Sequence, residues 1–338
     1  MNKEKIDNFR GYIDLHLHLD GSLDLDTVKE LMKLNNVDNN YSDEELLNKL
    51  QVSKENKDLN EYLSKFEFPQ TLLQTKSSIE CAMHMLCDRL YKEGFIYAEI
   101  RFAPQFHTKL GLSQEEVIEA AIRGANMSKL DVSLILCLMR FENNQNENLE
   151  TVMLAKKYLG NGIAALDLAG AEGLYPTSDF EEFFKVAKEY NIPFTIHAGE
   201  ASGAESVKKA ISFEASRIGH GVNSFKNEEV LNLAIKNHIT YEVCPTSNLN
   251  TKVIESVADY HLKNLIDKNV LITINTDNTM VSNTNIRNEF NLLNDSFNLS
   301  NDEFKYFLTN SVKSAFIDSK HKDLLLKELN QKFVEINI

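Results

Sequence analysis

Apolar and polar residues alternate strictly over the stretch 13–22, which reads Ile-Asp-Leu-His-Leu-His-Leu-Asp-Gly-Ser. A two-residue period is that of a β-strand, in which successive side chains point to opposite faces. The pattern therefore predicts a strand that is broken at Gly21 and Ser22, with His16 and His18 on the same face. A structural role for the two histidines and a shared ligand-binding role remain equally open at this point.

Seven further apolar runs follow, and helical periodicity separates them along most of the chain. The predicted strands are 95–102, 132–139, 162–168, 192–197, 217–219, 239–243 and 270–275. The predicted helices among them are 113–127, 149–159, 180–190, 206–213, 228–237 and 262–268. Capping boxes that open at Ser42, Ser113 and Ser300 mark helix starts. Apolar strands alternating with helices indicate a parallel sheet covered on both faces, and eight such units predict an α/β fold, a (β/α)8 TIM barrel.

The segment between the first two strands, about 24–92, is too long for one loop and is predicted to be a helical insertion. Tyr62 and Phe66 lie in it at helical spacing. Aromatic residues so placed usually belong to a core, and the alternative is a lid over a binding site. Apolar residues beyond Ser300 predict additional helices after the last strand. Since no Pro-, Gly- or Ser-rich linker divides the chain, we interpret residues 1–338 as one domain.

The composition narrows the range of partners. Of 338 residues, 25% are charged and 43% hydrophobic, as in soluble globular proteins, and the net charge is −14. This charge argues against nucleic acid or an anionic membrane, which both attract clustered Lys and Arg. The sequence shows no signal-peptide core and no membrane span. Four cysteines without a Cys-x-x-Cys pair predict reduced thiols and a cytoplasmic protein. The oligomeric state is not evident from the sequence.

In (β/α)8 barrels the active site lies at the carboxyl ends of the strands. The candidate site residues that the chain places there are one glycine, Gly170, and a set of polar residues: His16, His18, Asp20, Glu99, Arg101, Asp167, Glu172, His197, Glu200, His220, Glu242, Asn248, Asp277 and Asn278. This set contains four of the nine histidines, which favours a metal site over structural roles. Three imidazoles and one carboxylate suit Zn²⁺ with one position left open for water. Water bound to zinc becomes a nucleophile near neutral pH.

The remaining rim residues then acquire chemical roles. We expect Asp277 to bind the metal and to accept a proton from the water, and His220 to orient the hydroxide. Glu200 follows His197 through a glycine turn, which suits proton donation to a substrate. For that task Glu200 must be protonated, and burial without a cationic partner favours this state.

Six stretches in this order resemble the adenosine deaminase family. They are His16-Leu-His18-Leu-Asp20-Gly-Ser, Leu166-Asp-Leu-Ala-Gly170, Thr195-Ile-His197-Ala-Gly-Glu200, Gly219-His220-Gly221, Cys244-Pro-Thr-Ser-Asn248 and Asn275-Thr-Asp277-Asn278. The resemblance extends from the first predicted strand to the last. Each motif alone is a modest signal, but six in the same order are highly specific. Other zinc deaminases use a His-x-Glu and Pro-Cys-x-x-Cys signature that this chain lacks.

The resemblance implies a zinc enzyme, with one ion per chain, that hydrolyses adenosine and 2′-deoxyadenosine to inosine or deoxyinosine and ammonia. By analogy, zinc-activated hydroxide attacks purine C6. The implied zinc ligands are His16, His18, His197 and Asp277. Glu200 would protonate purine N1, while His220 and Asp277 would manage the attacking water.

The resemblance also implies the contacts to the substrate, a small purine nucleoside. His18 would lie against the substrate, Asp20 would bind the ribose 5′-hydroxyl, and the Gly170 amide would bind purine N3. Many members of the family have Asp where this chain has Asn278, the position that contacts purine N7. An Asn amide donates a hydrogen bond without an added proton, so the change is chemically compatible with that contact.

Three other functions are consistent with parts of the sequence. A two-metal or another mononuclear amidohydrolase would use the same barrel, but the bridging Lys of two-metal relatives is absent from the fourth strand, since Lys156 and Lys157 lie in the preceding helix. A deaminase of adenine, of an adenine nucleotide or of a modified nucleoside is a second alternative; a carboxylate at Asp20 would repel a 5′-phosphate. A nucleoside-binding protein without catalysis is the third.

Overall fold

Eight parallel strands form the centre of the molecule. The structure, a computed structural model, describes residues 1–37, 40–53, 56 and 58–338. The strands are β1 (Tyr12–His18), β2 (Phe95–Phe102), β3 (Asp131–Arg140), β4 (Ile163–Gly170), β5 (Thr195–Ala198), β6 (Arg217–His220), β7 (Thr240–Val243) and β8 (Leu271–Ile274). They pair in sequence order within two four-stranded arcs, β1 to β4 and β5 to β8.

Two seams join these arcs into a barrel. At one seam Leu166 bridges to Phe194, and at the other Leu17 bridges to Asp277, both in parallel orientation. The second seam is closed by two hydrogen bonds of 2.8 Å, from the His18 amide to the Asp277 carbonyl and from the Asp277 amide to the His16 carbonyl. The predicted (β/α)8 TIM-barrel class is confirmed, and its second seam is built from candidate site residues.

Sixteen α-helices are present in the described part of the chain. They are α1 (Lys3–Asn8), α2 (Leu25–Leu34), α3 (Asp43–Leu50), α4 (Leu59–Leu63), α5 (Glu67–Leu72), α6 (Lys76–Glu93), α7 (Gln114–Asn126), α8 (Gln145–Tyr158), α9 (Glu181–Glu189), α10 (Ala204–Ser212), α11 (Glu228–Lys236), α12 (Pro245–Asn250), α13 (Leu262–Asp267), α14 (Ile286–Phe297), α15 (Asn301–Ser314) and α16 (Ser319–Glu335). The three predicted capping boxes all form, at the starts of α3, α7 and α15.

Most predicted strand bounds differ from the structure by one to three residues, and two of these differences have clear physical reasons. The first strand ends at His18 rather than continuing to Asp20, because Leu19 adopts helical dihedral angles and opens a 3-10 turn over Asp20–Ser22. The Gly21 carbonyl in this turn accepts hydrogen bonds from the amides of Met280 and Val281 after β8. The fifth strand starts at Thr195 instead of 192, since Pro193 has no N–H to donate to a ladder.

The helices after β8 close the amino-terminal end of the barrel. Helix α15 packs against β8 and β1. The Phe316 amide donates to Glu99, and Arg217 donates to the Ser314 carbonyl at 2.9 Å while its guanidinium stacks over the Phe316 ring. The opposite end, at the carboxyl termini of the strands, stays open to a cavity. None of the described helices has both the length and the apolar character needed to traverse a lipid bilayer.

Candidate active site

Four imidazoles and one carboxylate meet at the carboxyl end of the barrel. His16 and His18 come from β1, His197 from β5 and His220 from β6, and Asp277 follows β8. Asp277 Oδ1 lies 3.4 Å from His18 Nε2 and 3.5 Å from His16 Nε2. The five side chains that the sequence predicted for the metal and its water therefore come together.

The arrangement fits a divalent metal ion. One donor atom from each of His16, His197, His220 and Asp277 lies within 4.8 Å of the others. His16 Nε2 is buried without a hydrogen-bond partner, and the Nε2 atoms of His18 and His197 are only 3.3 Å apart. Two such nitrogens carrying lone pairs repel each other unless a proton or a cation lies between them. Imidazole nitrogens with a carboxylate oxygen form the donor set that a borderline cation such as Zn²⁺ prefers.

The backbone at the site is held in unusual conformations. His220 and Asp277 have φ angles of 61° and 60°, in the left-handed region that a residue with a Cβ atom occupies at a cost of about 1–3 kcal/mol. His220 ends β6, Asp277 follows β8, and both side chains belong to the metal-type group. Gly219 lets two rings approach closely, because a Cβ atom there would lie 3.1 Å from His16 Cε1.

Two buried carboxylates orient two of the histidines. Glu242 Oε2 lies 2.7 Å from His16 Nδ1, and Asp167 Oδ2 lies 2.9 Å from His197 Nδ1. A carboxylate in this position keeps the proton on Nδ1, so that the Nε2 lone pair faces the centre of the site. This is the outer-shell arrangement that metal-binding histidines commonly have.

These carboxylates belong to a buried group that we call the ionic layer: Glu99, Arg101, Asp167, Arg217 and Glu242. Arg101 donates to Asp167 Oδ2 at 2.9 Å and to Glu242 Oε2 at 3.0 Å. Arg217 donates to Glu242 Oε1 at 2.6 Å and to Glu99 Oε2 at 2.5 Å. The side chains are 1% exposed or less.

The charges of the ionic layer also favour a divalent ion. Burial raises the pKa of Glu242, but Arg101 and Arg217 outweigh it and the pKa lies well below its usual range. For Asp167, burial is likewise outweighed by His197 and Arg101, which lower the pKa. Three layer carboxylates together with Asp277 oppose two guanidinium groups, and a divalent cation balances that charge.

Glu200 is buried in a different electrostatic setting. It is 5% exposed, and burial, reinforced by the charges of Asp277 and Glu172, raises its pKa well above the usual value. Among the described residues, no Lys or Arg nitrogen lies within salt-bridge distance of this carboxyl, and His220 Nε2 is 3.7 Å away. This shift favours the protonated carboxyl, the form that an acid donating to a substrate must have.

A cavity of about 350 Å³ opens from these groups, a size that suits a small organic ligand. His18, Asp20, Gly170 and Asn278, the predicted substrate contacts, all line it. The other wall is formed by apolar side chains of the predicted lid segment, which are Leu59, Tyr62, Leu63 and Phe66. Tyr62 is anchored by a 2.6 Å hydrogen bond between its hydroxyl and Ser282 Oγ.

The cavity wall is poor in cationic side chains. Asp20 Oδ2 accepts a hydrogen bond from Gln70 at 3.3 Å, and burial raises the pKa of Asp20 to about 6. Arg140 is the one Lys or Arg among the described lining residues. Its guanidinium donates to the carbonyls of Tyr175 and His197 and to Thr177 Oγ1, and so is already engaged by the protein.

The chain is similar to known proteins along nearly its whole length. The adenosine deaminase family model matches residues 12–332. A curated adenosine deaminase of Haemophilus ducreyi is 44% identical over 335 residues, covering 96% of this chain and 97% of the relative. An Arabidopsis protein, ADAL, solved in complex with IMP, superposes with a TM-score of 0.87 at 25% identity, covering 98% and 99% of the two chains. An adenine deaminase from Arthrobacter aurescens superposes with a TM-score of 0.84 at 25% identity, covering 94% and 98%.

Proposed function

The chain belongs to the adenosine deaminase family of hydrolytic deaminases, and from this premise we propose that it converts adenosine and 2′-deoxyadenosine to inosine and deoxyinosine with release of ammonia. The observation that carries the proposal is the meeting, at one cavity, of two groups of side chains. The first is the metal-type group His16, His197, His220 and Asp277, with His18 beside it, and the second is the buried carboxyl of Glu200, whose pKa is raised. A deaminase of this kind needs a nucleophilic water on one side of the purine ring and a proton donor at its edge.

We propose that His16, His18, His197 and Asp277 hold one zinc ion. The carboxylate partners of His16 and His197 support their assignment as ligands, whereas His220 Nδ1 is bonded at 3.0 Å to the Asn248 side-chain amide. His220 is thereby left to hydrogen-bond the attacking water. Zinc bound at this site supplies Lewis-acid chemistry, lowering the pKa of a coordinated water towards neutrality.

The residues of the chain then divide the proton transfers between them. Glu200 donates its proton to purine N1, which makes C6 electrophilic. Asp277 is ionised, because its histidine neighbours hold its pKa well below the usual range although burial opposes this. As a carboxylate it has lone pairs with which to accept a proton from the attacking water. Addition at C6 and loss of the amino group as ammonia complete the hydrolysis.

We propose that the substrate contacts follow the cavity wall. Asp20 accepts a hydrogen bond from the ribose 5′-hydroxyl, the Gly170 amide donates to purine N3, and His18 lies against the nucleoside. Asn278 lines the cavity, and its side-chain NH2 group donates to purine N7. The segment α4 to α5, which borders the cavity, acts as the lid within a single domain of residues 1–338.

The charges of the cavity favour a nucleoside over a nucleotide. A 5′-phosphate near Asp20 would meet a carboxylate rather than a cation, and Arg140 already donates to three protein acceptors. A small-molecule purine nucleoside is thus the partner that we propose. The four free cysteines support a reducing, cytoplasmic setting.

The proposal is tested by ammonia release from adenine, adenosine, 2′-deoxyadenosine, adenosine monophosphate and N6-methyladenosine, with and without a chelator. We expect the highest kcat/KM for adenosine and its deoxy form, loss of activity on metal removal, and recovery with zinc. A higher kcat/KM for adenine, the monophosphate or the N6-methyl compound would overturn the proposed substrate. Full activity in a sample shown by metal analysis to be zinc-free would overturn the proposed cofactor.

A further inference from the structure

The turn that carries Glu200 is held by one carboxylate, that of Glu172. Glu172 Oε1 accepts from the Gly199 amide at 2.7 Å, and Oε2 accepts from the amides of Glu200, Ala201 and Ser202 at 3.0, 2.8 and 3.0 Å. Ser206 Oγ donates to Oε1 as well. Five donors thus saturate the roughly four acceptor sites of a single carboxylate.

Glu172 holds the turn without an ion pair. Glu172 is 1% exposed, and in the described part of the chain no Lys, Arg or His nitrogen lies within salt-bridge distance of its oxygens. The converging N–H dipoles of the turn therefore stabilise the buried charge, as in an anion-binding nest. They converge only in this conformation, which needs Gly199 at a φ of 70°.

The carbonyl side of the same turn is held from the other direction. Asn223 Nδ2 donates to the carbonyls of Glu200 at 2.8 Å and Ser202 at 3.0 Å, and the Asn223 amide donates to the Gly199 carbonyl at 2.9 Å. Both faces of a four-residue backbone segment are thus fixed, by the Glu172 side chain on one side and by Asn223 on the other. Glu172 is the charged member of this arrangement, and it alone binds four consecutive amides.

The side chain of Glu200 depends on this backbone for its direction. Among the described residues, none makes a hydrogen bond to the Glu200 carboxyl, and the basic nitrogen within salt-bridge distance of it is His220 Nε2 at 3.7 Å. A carboxyl without protein partners is free to bond to the substrate. Its direction is then set only by the conformation of the main chain that carries it. A displacement of about 1 Å at a reacting group costs up to about 100-fold in rate.

We infer that Glu172 is a positioning residue that locks the 199–202 turn and thereby aims Glu200 at the purine ring. The inference rests on the proposed function, since it assumes that Glu200 is the proton donor. Glu172 has no place in the cavity wall, so it acts through the turn and not on the substrate.

Glu172→Gln tests the inference because the variant loses the charge and turns an NH2 donor towards at least one backbone N–H. We expect one zinc per chain, a KM for adenosine within about threefold of the wild type, and a kcat lower by about 10- to 100-fold. Hydrogen exchange at the 199–202 amides should speed up by at least about tenfold. A kcat within about threefold of the wild type, or unchanged amide protection, overturns the inference.

Glu172→Asp provides the rescue test and covers the case in which Glu172→Gln does not fold. Aspartate keeps the charge but reaches fewer amides, so we expect amide protection and kcat between those of the wild type and of Glu172→Gln. Aspartate values equal to the wild type, or a kcat below that of the glutamine variant, contradict the inference. Glu289→Gln is the matched control. Glu289 is also buried without a salt bridge among the described residues, and it accepts a hydrogen bond from the Thr246 amide at the start of α12, so amide protection at 199–202 should stay at the wild-type level.

A parallel Glu200→Gln sample separates the two proposals. If Glu200→Gln keeps its kcat, the acid role fails, and hydrogen exchange alone then decides whether Glu172 holds the turn. If Glu200→Gln is inactive while Glu172→Gln behaves as wild type, only the positioning role fails.

Discussion

The ionic layer and the cavity rim bury the same kind of side chain with opposite results. In the ionic layer, guanidinium groups keep the pKa values of Asp167 and Glu242 well below their usual ranges although burial alone would raise them. At the rim, Glu200 and, behind α12, Glu289 are also buried but have no salt bridge to Lys or Arg among the described residues, and their pKa values are raised. The partner of a buried carboxyl, rather than its burial, decides its charge.

This difference assigns separate tasks to the two regions. Fixed anions below the histidines keep the Nδ1 protons in place and direct the Nε2 atoms to the metal site. A neutral carboxyl at the cavity has a proton to give to the substrate. If the ionic layer were neutral and Glu200 were charged, both functions would be lost. We therefore expect a substitution that neutralises a carboxyl, or removes its cationic partner, to have different effects in the two regions.

The largest effect is expected where the neutral carboxyl meets the substrate. Glu200→Gln keeps the shape and removes the transferable proton, so kcat should fall by about 10²- to 10⁴-fold, the usual contribution of general acid–base catalysis. Zinc content, measured by metal analysis, should stay at one per chain because Glu200 is not among the proposed ligands. A variant that retains most of its activity would contradict the acid assignment.

Unpairing the ionic layer should cost stability rather than proton transfer. Arg101→Met leaves the charges of Asp167 and Glu242 without one partner, and breaking a buried pair in this way costs about 3–5 kcal/mol. The measurement is the free energy of unfolding in urea. The control is Arg123→Met, which removes a surface pair with Glu80 and should cost about 1 kcal/mol or less. Equal losses of unfolding free energy in the two variants would show that the buried pairs of the ionic layer contribute no more to stability than a surface pair does.

The fold was largely predictable because its signals are local. Eight apolar runs predicted the barrel, and three capping boxes predicted the starts of three helices. The largest error in a strand bound was the start of the fifth strand, which Pro193 delays. The metal-type groups were predictable too, since a (β/α)8 barrel brings all strand ends to one rim. These inferences need only the order of the strands.

The ionic layer and the Glu172 contacts were not predictable in the same way. Arg101 and Asp167 were placed at strand ends, but their pairing depends on the register across β2, β3 and β4 and on closure of the barrel. For Glu172 the signal is absent from the sequence, because its partners are main-chain amides that any residue supplies. Glycine at position 199 was the one local hint of a turn at this place.

The rim should also differ from the ionic layer in its response to pH. Burial raises the pKa of Glu289 to about 7 from 4.5, so its contribution to stability is present below pH 4.5 and is lost as the pH rises to about 7. This shift corresponds to on the order of 3 kcal/mol. Glu289→Gln, measured by urea unfolding of the zinc-free protein, should gain about this much relative to the wild type between pH 4.5 and 7.5. A difference that does not change with pH would mean that Glu289 is charged in the folded protein.

The smallest effect is expected from neutralising one anion of the ionic layer while keeping its shape. Asp167→Asn retains an oxygen for the His197 Nδ1 proton but loses the charge that makes the ring a better ligand, and such outer-shell changes weaken metal affinity by about 10- to 100-fold. Competition with a chelator measures this directly, and kcat at saturating zinc should change less than affinity does. The matched control is Asp131→Asn, which alters a carboxylate paired with His321 at the opposite end of the barrel and should leave zinc affinity unchanged. Because both variants neutralise an aspartate that is bonded to a histidine, a loss confined to Asp167→Asn would come from its place beneath the metal site, and equal affinities in the two would refute that role.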